Sequence, residues 1–406
     1  MDMKGSRPVF LSLLCLLFLA SCNARHEEGI SGLPAAGPND RFRIGVCMPP
    51  KGGLAELSKL QARGIRAAGD MVRDRAGRNV ELIFRETGES PRAFSDTIQK
   101  VLMDDRVSGI ITCASDDEVD AARSVLARTP VPFLVTSPCT NTFRTGGEPP
   151  EIRMCTALGD QAYACARFLS HELKARRIGI IIDADDPVAV KIASLFSSEL
   201  TGMPGRIVDI AFLQEGKDLA ASIRHLMDAG PDAVYLPFAG GHSRALVEMV
   251  RSGDPDRPVL VGTLQAEETM LGEAVKVLDG VYVRTEFIGE TVKSSQGMEF
   301  IEYYRRHAGR KVYLGSGIAT GAEGLFLMID MISEARQSKL VGDAPRAAAS
   351  RRGSLLGFTG VTPSGAVYQH LVFGKIEKKF LGRPAVTFVA AVPLKRSDPV
   401  ADAGTQ

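Results

Sequence analysis

The chain has 406 residues, 45% of them hydrophobic and 24% charged, and its 49 Lys and Arg almost match its 48 Asp and Glu. Such a balance, with no basic run, excludes a nucleic-acid partner, because phosphate binding draws on clustered cations. The length suggests two domains rather than one hydrophobic core.

Lys4 and Arg7 precede an apolar run from Val9 to Ala20 that closes on the small residues Ala20 and Ser21, so residues 1–21 read as a signal peptide. The run is short of the roughly 20 apolar residues that a membrane span needs. The tetrad Leu19-Ala20-Ser21-Cys22 resembles the lipobox of bacterial lipoproteins, in which the cysteine receives a diacylglyceryl group and becomes the mature amino terminus. That resemblance implies lipidation at Cys22 and a stable membrane anchor outside the cytoplasm. Residues 22–41 are polar and carry Gly29, Gly32, Pro34, Gly37 and Pro38, a flexible tether with a reach of roughly 25 Å.

Strand-like apolar runs then alternate with segments of helical period. Strands are predicted at Phe42–Met48, Val80–Arg85, Gly109–Cys113, Val131–Thr136 and Glu151–Cys155, with helices at Leu54–Arg75, Ala93–Met103 and Asp117–Ala127 between them. The pattern restarts with helices at Asp160–Glu172, Val188–Leu200, Asp218–Ala229 and Ser243–Arg251. The strands of this second set are Arg177–Asp183, Arg206–Phe212, Ala233–Pro237, Val259–Gly262 and Gly280–Arg284. Two late helices, Met298–His307 and Ile318–Arg336, precede a Gly-rich strand region from Gly357 onward.

Alternation of this kind builds parallel sheets covered on both faces, so the fold class is α/β with two doubly wound lobes. The late segments are too few for a third lobe and complete the first two. This gives lobe 1 as residues 42–155 and 284–350, lobe 2 as 156–283 and 351–395, a tail over 396–406, and a hinge of several crossing segments. In such sheets a ligand sits beyond the carboxyl ends of the strands, which makes the loops there the candidate site.

Four motifs occur in order: Gly64-Ile65-Arg66-Ala67-Ala68, Gly109-Ile110-Ile111-Thr112, Thr136-Ser137-Pro138-Cys139-Thr140-Asn141 and Gly357-Phe358-Thr359-Gly360. Together they resemble type I periplasmic solute-binding proteins of the leucine/isoleucine/valine-binding group, which serve ABC transporters. The resemblance implies the type I periplasmic binding protein fold, with strand order 2-1-3-4-5. It places a ligand carboxylate against Ala114 and Ser115, after the third strand, and Cys139 and Thr140, after the fourth. Exposed amides and a hydroxyl suit an anion there, while Ser115 is equally suited to cap the following helix.

The second lobe departs from the pattern. Asp183-Ala184-Asp185-Asp186-Pro187 stands where amino-acid binders have a tyrosine, and Leu264, beside Gln265, stands where they have a carboxylate for the ammonium group. Asp185, Asp186 or Glu267 are the candidates to replace that carboxylate, against an ordinary role as helix caps. Phe238 and Ala239 would line the cleft as an apolar wall.

The body keeps Cys47, Cys113, Cys139, Cys155 and Cys165. Cys47, Cys113 and Cys139 fall at the carboxyl ends of neighbouring strands, which leaves three readings open: small residues where strands crowd, a Cys113 to Cys139 disulfide, or a thiol site. Neither the cysteines nor the six histidines have metal-ligand spacing. Gly241-His242-Ser243-Arg244-Ala245 mimics a nucleophile elbow but reads as a helix start, and Gly315-Ser316-Gly317 with Gly321 has the wrong spacing for a dinucleotide loop.

The expectation is therefore a non-enzymatic, lipid-anchored solute-binding protein without metal or cofactor. Its partners would be a small solute, a carboxylate or amino-acid-like compound, and an ABC permease in the cytoplasmic membrane. The rival expectation is a lipoprotein using the same fold as a protein-interaction module.

Overall fold

The computed structural model describes residues 41–52, 54–76, 78–129, 131–138, 151–214, 216, 218–237, 243–262, 277–308, 313–338, 341–343, 355–361, 365–368, 370–378 and 384–393. The first half begins β1 (Phe42–Met48), α1 (Ala55–Ala76), β2 (Val80–Glu86), α2 (Pro91–Met103) and β3 (Gly109–Thr112). It continues with α3 (Asp116–Arg128), β4 (Phe133–Val135) and β5 (Glu151–Arg153). These five strands form a wholly parallel sheet in the order β2-β1-β3-β4-β5, as the resemblance implied. β1 and β3 are buried along nearly their whole length, which is why they read as continuous apolar runs rather than alternating ones.

The second unit runs α4 (Leu158–Arg167), β6 (Arg177–Asp183), α5 (Pro187–Leu200), β7 (Arg206–Leu213), α6 (Leu219–Asp228), β8 (Ala233–Leu236), α7 (Ser243–Val250), β9 (Val259–Val261) and β10 (Tyr282–Thr285). Side chains start its helices where the sequence supplies caps: Asp186 before Pro187 for α5, and Asp218 for α6. After β10 come α8 (Ser295–His307), α9 (Ser316–Ser338), the small pair β11 (Gly360–Val361) and β12 (Val367–Tyr368), and the long strands β13 (Leu371–Lys378) and β14 (Pro384–Val392). The seven-stranded second sheet has the order β14-β13-β10-β9-β8-β6-β7, and β13 joins β10 and β14 antiparallel. The chain thus closes this sheet with a hairpin edge on an otherwise parallel core.

One predicted helix is two structures. The span expected as Asp160–Glu172 is α4 followed by a π-helical turn, Phe168–Glu172, in which Leu173 N–H reaches the Phe168 carbonyl at 3.0 Å. Ser170 Oγ bonds back to the Ala166 carbonyl at 2.7 Å, the kind of side-chain competition that disturbs a helical ladder.

α9 is buried on nearly every side and packs against α1. The crossing is backbone to backbone: a Cβ on Gly64 would stand 2.0 Å from the Ile318 carbonyl oxygen, and one on Gly321 2.1 Å from that of Gln61. α9 thereby returns to the first sheet's core, while β13 and β14 belong to the second. Among the described residues, the chain passes between the two cores three times. Met154 lies in the first and Leu158 in the second, Val283 in the second and Phe287 in the first, Val367 in the first and Leu371 in the second.

Candidate functional site

Three hydroxyl side chains and one amide knit the carboxyl ends of β1, β3 and β4. Thr112 Oγ1 donates to the Cys47 carbonyl at 2.8 Å, and Thr136 N–H donates to the Thr112 carbonyl at 2.8 Å. The Thr136 hydroxyl lies 2.6 Å from Gln61 Oε1 and 3.0 Å from the Thr112 carbonyl, while Gln61 Nε2 donates to the Thr136 carbonyl at 2.8 Å. Ser137 Oγ donates to the Ala114 carbonyl. Ala114 is buried, and its carbonyl is the link between the loop after β3 and the loop after β4.

Ser115 is the N-cap of α3, in extended backbone, and forms a capping box. Its Oγ accepts from Glu118 N–H at 3.4 Å and lies 3.0 Å from Glu118 Oε2, which also accepts from Ser115 N–H at 2.8 Å. The capping role expected of Ser115 is present, and it engages the same N–H and hydroxyl that a ligand carboxylate would use.

Beside this cap lies an ion network that the sequence reading did not anticipate. Arg153, 10% exposed at its side chain, bonds Asp116 through Nη1 and Glu151 through Nε at 2.7 Å. Arg123 stands 3.4 Å from the other oxygen of Glu151. Burial opposes the charge on Arg153, but Glu151 and Asp116 outweigh it and raise its pKa. Arg153 N–H also donates to the Gly365 carbonyl at 2.8 Å, and Arg153 bridges to Ala366. The last strand of the first sheet is thus tied both to the start of α3 and to the third crossing segment. Two charges, Glu151 and Arg153, flanking Ile152 in a short strand were the available signal.

A second such tie lies inside the first unit. Glu323 on α9 is fully buried, and its Oε2 accepts from the backbone N–H of Leu355 and Leu356.

In the second unit Asp186 caps α5, its Oδ1 accepting from Val188 N–H at 2.8 Å. Asp183 Oδ1 accepts from Asp185 N–H at 3.1 Å. The turn after β6 is therefore held by its own carboxylates. Cys139, Thr140, Phe238, Ala239, Leu264 and Gln265, like the lipidation candidate Cys22, lie outside the described residues.

Cys47, Cys113 and Cys165 are free and buried, which removes the Cys113 to Cys139 disulfide; Cys155 is disulfide-bonded. Burial pushes the Cys47 thiol up to about 12 and that of Cys165 to about 11, and lifts Cys113 further still. Thiols held neutral in this way are poor nucleophiles and poor ligands, and the Cys47 and Cys113 side chains are fully buried. Ser243 is the first residue of α7, and the Gly315–Gly321 stretch opens α9. Both look-alike motifs are helix starts. Among the described residues no group of three or more His, Cys, Asp or Glu could hold a metal ion, and no helix is long and apolar enough to cross a membrane.

Residues 41–367 match a family model described as periplasmic binding protein. No curated protein sequence matches the chain. Among solved structures, an ABC transporter substrate-binding protein from Sphaerobacter thermophilus is 21% identical, with a TM-score of 0.72 over 87% of this chain and 98% of that one. A leucine binding protein, LivK, from Thermotoga maritima MSB8 is 18% identical, with a TM-score of 0.68 over 87% and 99%. A solute binding protein of an ABC transporter from Rhodopseudomonas palustris BisB5, in complex with 3,4-dihydroxybenzoic acid, is 18% identical, with a TM-score of 0.70 over 87% and 98%. At these identities the likeness is one of fold.

Proposed function

Since the chain belongs to the periplasmic binding protein family, we propose that it is a lipid-anchored, extracytoplasmic solute-binding protein that captures a small organic solute between its lobes and delivers it to an ABC permease. The observation that carries this reading is the locked pair of loops at the ends of β3 and β4, where Ser137 holds the Ala114 carbonyl and α3 begins at Asp116. Loops fixed to one another before a ligand arrives lose little freedom on binding, and a helix amino terminus beside them favours an anion. Three crossing segments allow the lobes to swing as bodies, so that a solute touching both stabilises the closed form. The solute class is a carboxylate or amino-acid-like compound, in keeping with relatives whose structures are described with leucine binding or a dihydroxybenzoic acid. No covalent step is assigned.

A second reading, an interaction module that binds no solute, draws on one observation: the Ser115 N–H and hydroxyl are already engaged by Glu118. A thermal-shift screen of the mature protein against amino acids, aliphatic and aromatic acids, amides and nucleosides separates the two. The transport reading expects at least one compound to raise the melting temperature by several degrees, since saturating ligand at about 100 times Kd stabilises by about 2.7 kcal/mol. No shift with any compound supports the interaction module.

A further inference from the structure

β10 reads Tyr282-Val283-Arg284-Thr285, and Arg284 within it is 0% exposed. Its Nε donates to the Gly262 carbonyl at 2.8 Å, while Nη1 and Nη2 have no hydrogen-bond partner among the described residues. A carboxylate stands beside it: Glu286, buried at the second crossing, with its Oε1 4.0 Å from Nη1. That separation offsets charge but is too long for a hydrogen bond. The other polar neighbours are the Cys165 thiol, on α4, and beside it the Tyr235 hydroxyl. Neither carries a formal negative charge, since burial raises the pKa of both. Beside Tyr235 there is no room for a larger residue than glycine, because a Cβ on Gly262 would lie 2.5 Å from the ring.

Arginine cannot shed its proton to escape burial, so the terminal pair of nitrogens remains a fork of N–H donors in want of acceptors. Its place in the fold is specific. Gly262 follows the last residue of β9, and Val283 pairs with Val261, so the guanidinium lies at the carboxyl ends of β9 and β10. Ligands of open parallel sheets bind at that end. A carboxylate matches the free fork in bidentate geometry, and a buried setting strengthens the contact. An ammonium group meets the opposite, a fixed cation.

The geometry points to Arg284 as the second lobe's anchor for an acidic group of the solute. The solute class is then an organic acid that turns a carboxylate toward this lobe, with a dicarboxylate the fullest match when the first lobe holds another. This rests on the solute-binding reading above and narrows it.

The test is calorimetric titration of the full-length mature protein in detergent with two matched series. Terephthalate, 4-carbamoylbenzoate and 4-(aminomethyl)benzoate share a ring and one carboxylate and differ at the far end. Glutarate, 4-carbamoylbutanoate and 4-aminobutyrate do the same on an aliphatic chain. Leucine is the reference amino acid. In at least one series the diacid is expected to bind ten-fold or more tighter than the neutral amide and tighter again than the ammonium compound. R284Q is expected to erase that ranking, and if R284Q does not fold, the wild-type ranking alone decides. Equal or tighter binding by the amide or ammonium member overturns the inference, as does an unchanged ranking in a folded R284Q. Binding of leucine with none of the acids overturns it while leaving the solute-binding reading standing. Silence from every compound contradicts both.

Discussion

Removing the Ser115 hydroxyl takes away the acceptor for Glu118 N–H and the hydroxyl contact to Glu118 Oε2. S115A is expected to lower stability by about 1 kcal/mol in urea unfolding, the usual cost of a lost N-cap. A loss well below that would mean that the box contributes little to α3. Cys47 yields a pH dependence with a definite sign. Its folded pKa is raised from 9.0 to about 12, chiefly by burial, so the thiol's contribution to stability is complete below pH 9 and is lost as pH rises from 9 toward 12. The urea midpoint should therefore fall more steeply between pH 9 and 11 in the wild type than in C47A. Parallel slopes would show that this thiol ionises as readily folded as unfolded. Residue-scale chemistry was also where sequence reading was weakest. Arg284 stands out as the charge in β10 and Arg153 as one of two in β5, but their partners, Gly262 at 22 positions' distance and Asp116 at 37, are brought to them by the sheets. Ser115 carried two readings because a cap and an anion ligand call on the same atoms.

Elements were far more legible, for a physical reason. Central parallel strands such as β1 and β3 are buried on both faces and appear as short apolar runs, and helix starts such as Asp186-Pro187 and Ser90-Pro91 carry their caps in the sequence. The π turn at Phe168–Glu172 was not legible, since an i to i−5 bond leaves the apolar pattern almost unchanged. Nor was the closeness of α1 to α9. Gly64 lies in a motif, but its use is seen from the 2.0 Å that a Cβ would leave to the Ile318 oxygen. Backbone cannot yield there as a flexible side chain would. G64A is expected to cost about 3 kcal/mol by denaturant unfolding, the upper end for overpacking. A change under 1 kcal/mol would mean that the two helices part without penalty.

For the whole molecule, the strand order β2-β1-β3-β4-β5 and the return of α9 to the first core put the loops after β3 and β4 side by side. The second sheet brings the ends of β9 and β10 to Arg284. Covalent linkage is accessible without any ligand. A non-reducing tryptic map is expected to recover Cys155 cross-linked and Cys47, Cys113 and Cys165 unlinked. Recovery of Cys155 as a free thiol would contradict this.

The central claim, that one solute is held by both lobes, is tested most directly by hydrogen exchange of the mature protein with and without the best-stabilising compound of the thermal screen. The account predicts slowed exchange, by about ten-fold or more, at once in peptides covering Cys113–Glu118 and Thr136–Ser137 of the first lobe and Val261–Gly262 and Val283–Glu286 of the second. Protection confined to one lobe, or absent from both, would contradict it.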